Sequence, residues 1–71
     1  MDKFDGVKLG RKIKEFRKKQ RVTQERLAEL IETSYKYIQR IEGKNPPDIR
    51  LTTILRIAKA LKVKPEELLK Y

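Results

Sequence analysis

One short segment of the chain carries four long polar side chains at helical spacing. They are Tyr35, Lys36, Gln39 and Arg40. Ile38 and Ile41 would occupy the opposite face of the same helix. The polar groups are mostly hydrogen-bond donors that can reach base edges in the major groove of DNA. Arginine and lysine suit O6 and N7 of guanine, and glutamine suits N6 and N7 of adenine. The segment favours base recognition, and a merely solvated helix face is the alternative.

The sequence lacks the residues that several other chemistries require. It contains no cysteine and no histidine, which excludes disulfides, thiolate nucleophiles, imidazole bases and the usual zinc sites. The ten carboxylates are scattered, and none is paired with a base or a metal ligand in an evident cleft. We therefore expect a protein that is not an enzyme and that needs no metal or cofactor.

The charge of the chain indicates a polyanionic partner. The 71 residues include 19 Lys and Arg against ten Asp and Glu, which gives a formal net charge of +9. The cations are dense between residues 8 and 21, where Glu15 is the single acid. Charge alone does not decide for nucleic acid, because soluble basic domains and the ion-pair networks of thermophilic proteins have similar compositions. With no apolar run near the roughly 20 residues of a membrane span and no signal peptide, we expect a cytoplasmic, nucleoid-associated protein.

The elements that must position these side chains are five short helices. Apolar spacing predicts them at residues 7–19, 24–30, 35–42, 50–62 and from Pro65 onward. The fourth helix has an apolar stripe that we expect in the core, made of Leu51, Ile54, Leu55, Ala58 and Leu61. The last apolar side chains would lie in the core or on a dimer surface; they are Leu68, Leu69 and Tyr71. The pattern predicts one all-α domain over residues 1–71, with its core at about 8–69.

A short turn separates the second and third helices. Thr23 and Ser34 can each accept a hydrogen bond from the free amides of the helix that follows. Gly43, in a left-handed conformation, is expected to end the third helix. The turn of about three residues is too short for easy antiparallel packing. It favours two helices that cross near a right angle, as in a helix-turn-helix.

Four segments carry a family resemblance. They read TQERLAE at 23–29, SYKYIQRIEG at 34–43, NP at 45–46 and, after Leu51, ILRIAKAL at 54–61. Together they resemble the Cro and lambda-repressor-like helix-turn-helix family, also called the Xre family, over about residues 8–69. The resemblance implies a five-helix repressor fold whose third helix enters the major groove.

The resemblance also implies roles for individual residues. Base contacts would come from Tyr35, Lys36, Gln39 and Arg40. Contacts to the DNA backbone are implied for Gln24, Ser34, Tyr37, Lys44 and Asn45. A family pair of arginine and glutamate that holds the first helix against the third corresponds to Arg17 and Glu42.

Some positions depart from the family pattern. Glu32 replaces the usual glycine of the turn, and a left-handed glutamate costs on the order of 1 kcal/mol, which predicts a slightly different turn. Thr33 stands where an apolar residue is common. The loop after Glu42 is one residue shorter than usual, and Lys64 is a poor cap for the last helix.

We therefore expect a sequence-specific regulator of transcription, a repressor, that binds double-stranded DNA. A single helix reads too few base pairs for specificity in a genome, which predicts a homodimer on a palindromic operator. Three alternatives remain open. The chain could be an antitoxin that also binds a partner protein such as a toxin, a restriction-modification controller, or a protein-interaction module without DNA binding.

Overall fold

A computed structural model describes residues 5–70. Its helices follow one another as α1 (Gly6–Lys19), α2 (Gln24–Leu30), α3 (Tyr35–Ile41), α4 (Leu51–Ala60) and α5 (Pro65–Leu69). No strand occurs within residues 5–70. The predicted all-α, five-helix fold is confirmed, and every helix boundary that the sequence analysis gave lies within two residues of the observed one.

Side-chain caps begin the first three helices. Asp5 Oδ1 accepts from the backbone N–H groups of Val7 and Lys8. Thr23 and Ser34 act as the sequence predicts, because each hydroxyl accepts from the backbone amide three residues later, at 3.0 and 3.1 Å. At α5 the side chain of the cap residue Lys64 makes no capping hydrogen bond, and its backbone N–H donates to the Glu67 carboxylate at 3.2 Å.

Three of the helices are followed, two residues after their last residue, by a charged residue in the left-handed region. Arg21, Glu32 and Lys62 have φ of 57°, 58° and 58°. In each case the next residue donates its N–H to a carbonyl five positions back, and the left-handed residue donates to one three positions back. Glu32 therefore adopts the left-handed conformation that glycine usually provides. The expectation of a different turn is wrong.

The expectation for Gly43 is wrong. No described glycine has a positive φ, and α3 ends instead on Glu42 with φ −88°. The N–H of Gly43 donates to the carbonyl of Arg40 at 3.2 Å. The last turn of α3 is thus tightened by a bond of the 3₁₀ type, which needs no left-handed residue.

All five helices contribute to one apolar core, which consists of Leu9, Ile13, Leu27, Ala28, Ile31, Ile38, Ile41, Ile54, Ile57, Ala58, Leu61 and Leu68. The predicted stripe of α4 is wrong in part, because Leu51 and Leu55 are 62% and 44% exposed. The buried face of α4 is formed instead by Ile54, Ile57, Ala58 and Leu61. Leu55 lies outside that face, and Leu51 is the first residue of the helix.

At the C-terminal end, Leu68 is buried whereas Leu69 is 39% exposed. The prediction for Tyr71 falls outside the described residues. No helix in this part of the chain combines the length and the apolar character that a membrane crossing would require.

Candidate nucleic-acid interface

Helix α3 is anchored on one side and open on the other. Ile38 and Ile41 are fully buried, and they hold the helix against α1 and α2. The four side chains that the sequence assigns to base contacts all lie on the exposed side: Tyr35, Lys36, Gln39 and Arg40. The fold therefore brings the predicted base-reading set together on one accessible face of a seven-residue helix.

The turn between α2 and α3 fixes where this face points. It spans residues 31–34 and includes the left-handed Glu32. Thr33 donates its N–H to the carbonyl of Ala28 at 2.8 Å, and Ile31 is buried in the core. A turn held by a backbone bond and by a buried side chain leaves little freedom between the helices, so α3 is presented in one orientation.

Two residues of the exposed face are bonded to each other. Gln39 Nε2 donates to Tyr35 Oη at 2.9 Å across one helical turn. Lys36 and Arg40 make no ion pair with any described residue. The face thus offers two cations and one polar pair to a partner.

Arg17 and Glu42 form the pair that the sequence predicts. The guanidinium Nε and Nη2 donate to the two oxygens of the carboxylate at 2.8 and 3.0 Å. The third nitrogen, Nη1, donates to the carbonyl of Val22 at 2.8 Å. The two side chains are only 9% and 2% exposed. The pair therefore ties α1 both to the end of α3 and to the chain that enters α2.

Gln24 joins this pair. Its Nε2 donates to Glu42 Oε1 at 2.9 Å, so the carboxylate accepts hydrogen bonds from α1 and from the start of α2. The family resemblance implies a contact from Gln24 to a DNA phosphate, and the bond to Glu42 was missed because local spacing does not reveal it. The amide keeps a second N–H that is used in no hydrogen bond within the described residues.

A second feature that the sequence analysis missed is Gly10, which is buried in the middle of α1. A Cβ at this position would overlap the carbonyl oxygen of Ile41. Only glycine lets α1 come this close to the end of α3, where Glu42 meets Arg17. A glycine inside an amphipathic helix is itself a signal of close packing, and this one could have been read in that way.

The remaining residues assigned to the DNA backbone lie at the two ends of α3. Ser34 is exposed at the start of the helix, where its hydroxyl accepts from the amide of Tyr37 and keeps its own O–H to donate. Tyr37 is half-buried and packs on the core. Lys44 and Asn45 are exposed in the loop that follows α3.

Comparison with known proteins identifies a family and similar solved structures. The family model for the Cro/C1-type HTH DNA-binding domain matches residues 12–71. Among solved structures, the chain is similar to the restriction-modification controller protein C.AhdI from Aeromonas hydrophila. The two share 34% sequence identity with a TM-score of 0.83, over 90% of this chain and 96% of that chain. No curated protein matches the chain.

Proposed function

The chain belongs to the family of Cro/C1-type helix-turn-helix DNA-binding domains, and on that premise we propose that it represses transcription by binding a palindromic operator as a homodimer. The observation that supports the proposal is the exposed face of α3, which gathers Tyr35, Lys36, Gln39 and Arg40 opposite two buried isoleucines. We propose no enzymatic activity for it.

The proposed roles follow from the chemistry of each side chain. Lys36 and Arg40 donate to O6 and N7 of guanine, and Gln39 bonds with N6 and N7 of adenine. Residues at the ends of the helix fix its register through the DNA backbone, and we assign this role to Gln24, Ser34, Tyr37, Lys44 and Asn45. Arg17 and Glu42 hold the scaffold and contact no DNA.

The length of α3 supports a dimer. Its seven residues extend about 10 Å at 1.5 Å per residue, which matches about three base pairs at 3.4 Å each. So short a site recurs throughout a genome. Two copies related by a two-fold axis read two half-sites about 34 Å apart and so supply the missing specificity.

Selection of bound sequences from a random pool of double-stranded DNA tests the proposal. We expect a palindromic consensus, and an affinity for it whose logarithm falls with the logarithm of salt concentration at about −0.9 per neutralised phosphate. A pool without enrichment, together with a flat salt response, would overturn DNA recognition. A consensus without two-fold symmetry would overturn the homodimer and leave the DNA contact standing.

A second candidate is a more specific role as a restriction-modification controller. It is supported by the similarity of the chain to the restriction-modification controller protein C.AhdI. If the candidate holds, the selected consensus occurs in front of the genes of a restriction-modification system in the source genome. Co-purification of a small toxin with the chain would instead favour the antitoxin. Repression would then follow from the binding of the antitoxin to its own promoter.

A further inference from the structure

The bond between Tyr35 and Gln39 suggests that one of these residues acts through the other. Gln39 Nε2 donates to Tyr35 Oη at 2.9 Å, and both side chains are exposed. We propose that Tyr35 is a positioning residue, which holds the Gln39 amide in the orientation that selects adenine at one base pair of each half-site. The inference rests on the proposed function, because it names the base that this DNA-binding face prefers.

The hydrogen-bonding groups of the Gln39 amide support separate roles for the two residues. A glutamine amide has two N–H groups and one acceptor oxygen. One N–H is held by Tyr35, which leaves the second N–H and Oε1. These two are the donor and the acceptor that pair with N7 and the N6 amino group of adenine.

The bond between Tyr35 and Gln39 should have a measurable effect on DNA binding, because it preorganises the glutamine side chain. An exposed glutamine samples several rotamers, and fixing one long side chain on binding costs a factor of about 2 to 12 in affinity. Because Tyr35 lies one helical turn before Gln39, its hydroxyl limits this freedom before DNA arrives. Lys36 and Arg40 on the same face form no ion pair with a described residue, so the restraint is particular to Gln39.

The chain provides a matched control in its other described tyrosine on α3. Tyr37 is half-buried, packs on the core and has no bond to Gln39. Tyr35→Phe and Tyr37→Phe each remove one hydroxyl and keep the ring. Since we assign Tyr37 to the DNA backbone, Tyr37→Phe should weaken binding to all sequences equally. Tyr35→Phe should change the base preference instead.

The experiment measures binding of full-length variants to the selected operator and to versions with each other base at the adenine position. We expect the unaltered chain to discriminate against those bases by about 5- to 150-fold. Gln39→Ala should abolish the discrimination, and Tyr35→Phe should reduce it about fivefold. In a Gln39→Ala background, Tyr35→Phe should have no further effect on it. Replacing the adenine by 7-deazaadenine, which lacks the N7 acceptor, should weaken binding of the unaltered chain but not of Gln39→Ala.

Two results would overturn the inference while the proposed function survives. One is a selected operator in which no adenine loses its preference when Gln39 is replaced by alanine. The other is an effect of Tyr35→Phe that persists in full in the Gln39→Ala background, because Tyr35 would then read a base itself. Absence of any selected operator would be a failure of the proposed function instead. Circular dichroism of each variant checks that the fold is retained.

Discussion

The same two side-chain types, arginine and glutamine, occur in this helix-turn-helix in two opposite settings. In the junction of α1, α2 and α3, Arg17 is 7% exposed and donates from all three nitrogens, and Gln24 bonds to the same carboxylate. On the outer face of α3, Arg40 is exposed without an ion pair in the described part of the chain, and Gln39 bonds only to an exposed tyrosine. Burial and partners, and not the residue type, decide which of these groups belongs to the scaffold.

The difference has a physical basis. A buried charge is tolerated only when it is paired and hydrogen-bonded, so the loss of one partner leaves a large penalty in the folded state. An exposed cation stays hydrated whether or not it has a protein partner, so removing it changes the free energy of unfolding little. Substitutions in the junction should therefore change the stability of the fold. Substitutions on the outer face of α3 should change DNA binding instead.

The strongest test of the comparison is Glu42→Ala. It leaves the Arg17 guanidinium buried without its carboxylate, which should lower the free energy of unfolding by about 4 kcal/mol. Chemical denaturation followed by circular dichroism measures the change. Glu29→Ala is the matched control, because Glu29 pairs with Arg26 where both are more than half exposed, and it should cost less than about 1 kcal/mol. A similar small loss for both variants would remove the distinction between the two settings.

Gly10→Ala tests whether the junction depends on close approach as well as on charge. The new methyl group would meet the backbone carbonyl of Ile41, which cannot swing away as a flexible side chain would. We expect a loss of about 2 kcal/mol in unfolding free energy, although alanine is the better helix former by about 1 kcal/mol. Lys14→Ala, on the exposed side of α1, is the control and should change stability by less than about 0.5 kcal/mol. A Gly10→Ala variant as stable as the parent would show that α1 can shift without cost.

Arg40→Ala addresses the other half of the comparison. It should weaken binding to the selected operator by about 1 to 3 kcal/mol, with much less effect on unrelated DNA. Fluorescence anisotropy on both DNAs measures the two losses, and Lys36→Ala should behave in the same way. Thermal unfolding of both variants should match that of the parent. An equal loss on every sequence would reassign these cations to phosphate contacts.

The smallest expected effect concerns the turn that links the two regions. Glu32→Gly removes the left-handed strain of a residue with φ of 58°, and we expect a gain of about 0.5 to 1 kcal/mol in unfolding free energy. Glu32→Ala is the informative control, because it also loses the 3.4 Å ion pair with Arg56 but keeps a Cβ in the left-handed conformation. If alanine stabilises the protein as much as glycine, relief of left-handed strain is not the cause of the gain.

Local patterns sufficed to predict most of the fold. Thr23 and Ser34 mark the starts of α2 and α3 because an N-cap is a property of a few neighbouring residues. Pro65 marks the start of α5 for the same reason. The outward placement of Tyr35 and its neighbours on α3 follows from the period of the helix.

What the sequence did not predict depends on contacts between helices. The stripe of α4 included Leu51 and Leu55 because spacing alone does not tell which edge of an apolar face the neighbouring helices cover. The requirement for Gly10 arises from the backbone of Ile41, which is distant along the chain. The bond from Gln24 to Glu42 likewise joins the beginning of one helix to the end of the next.

The division of α3 into a buried side and an open side affects how the sequence of such a protein can change during evolution. Ile38 and Ile41 hold the helix from one side, while Lys36, Gln39 and Arg40 contribute nothing to the core. Exchanges on the open side alter the free energy of unfolding by only about 0.5 kcal/mol. On the proposed function, a copy that arises by gene duplication can therefore acquire a different DNA preference through a few substitutions, each of which leaves the fold stable.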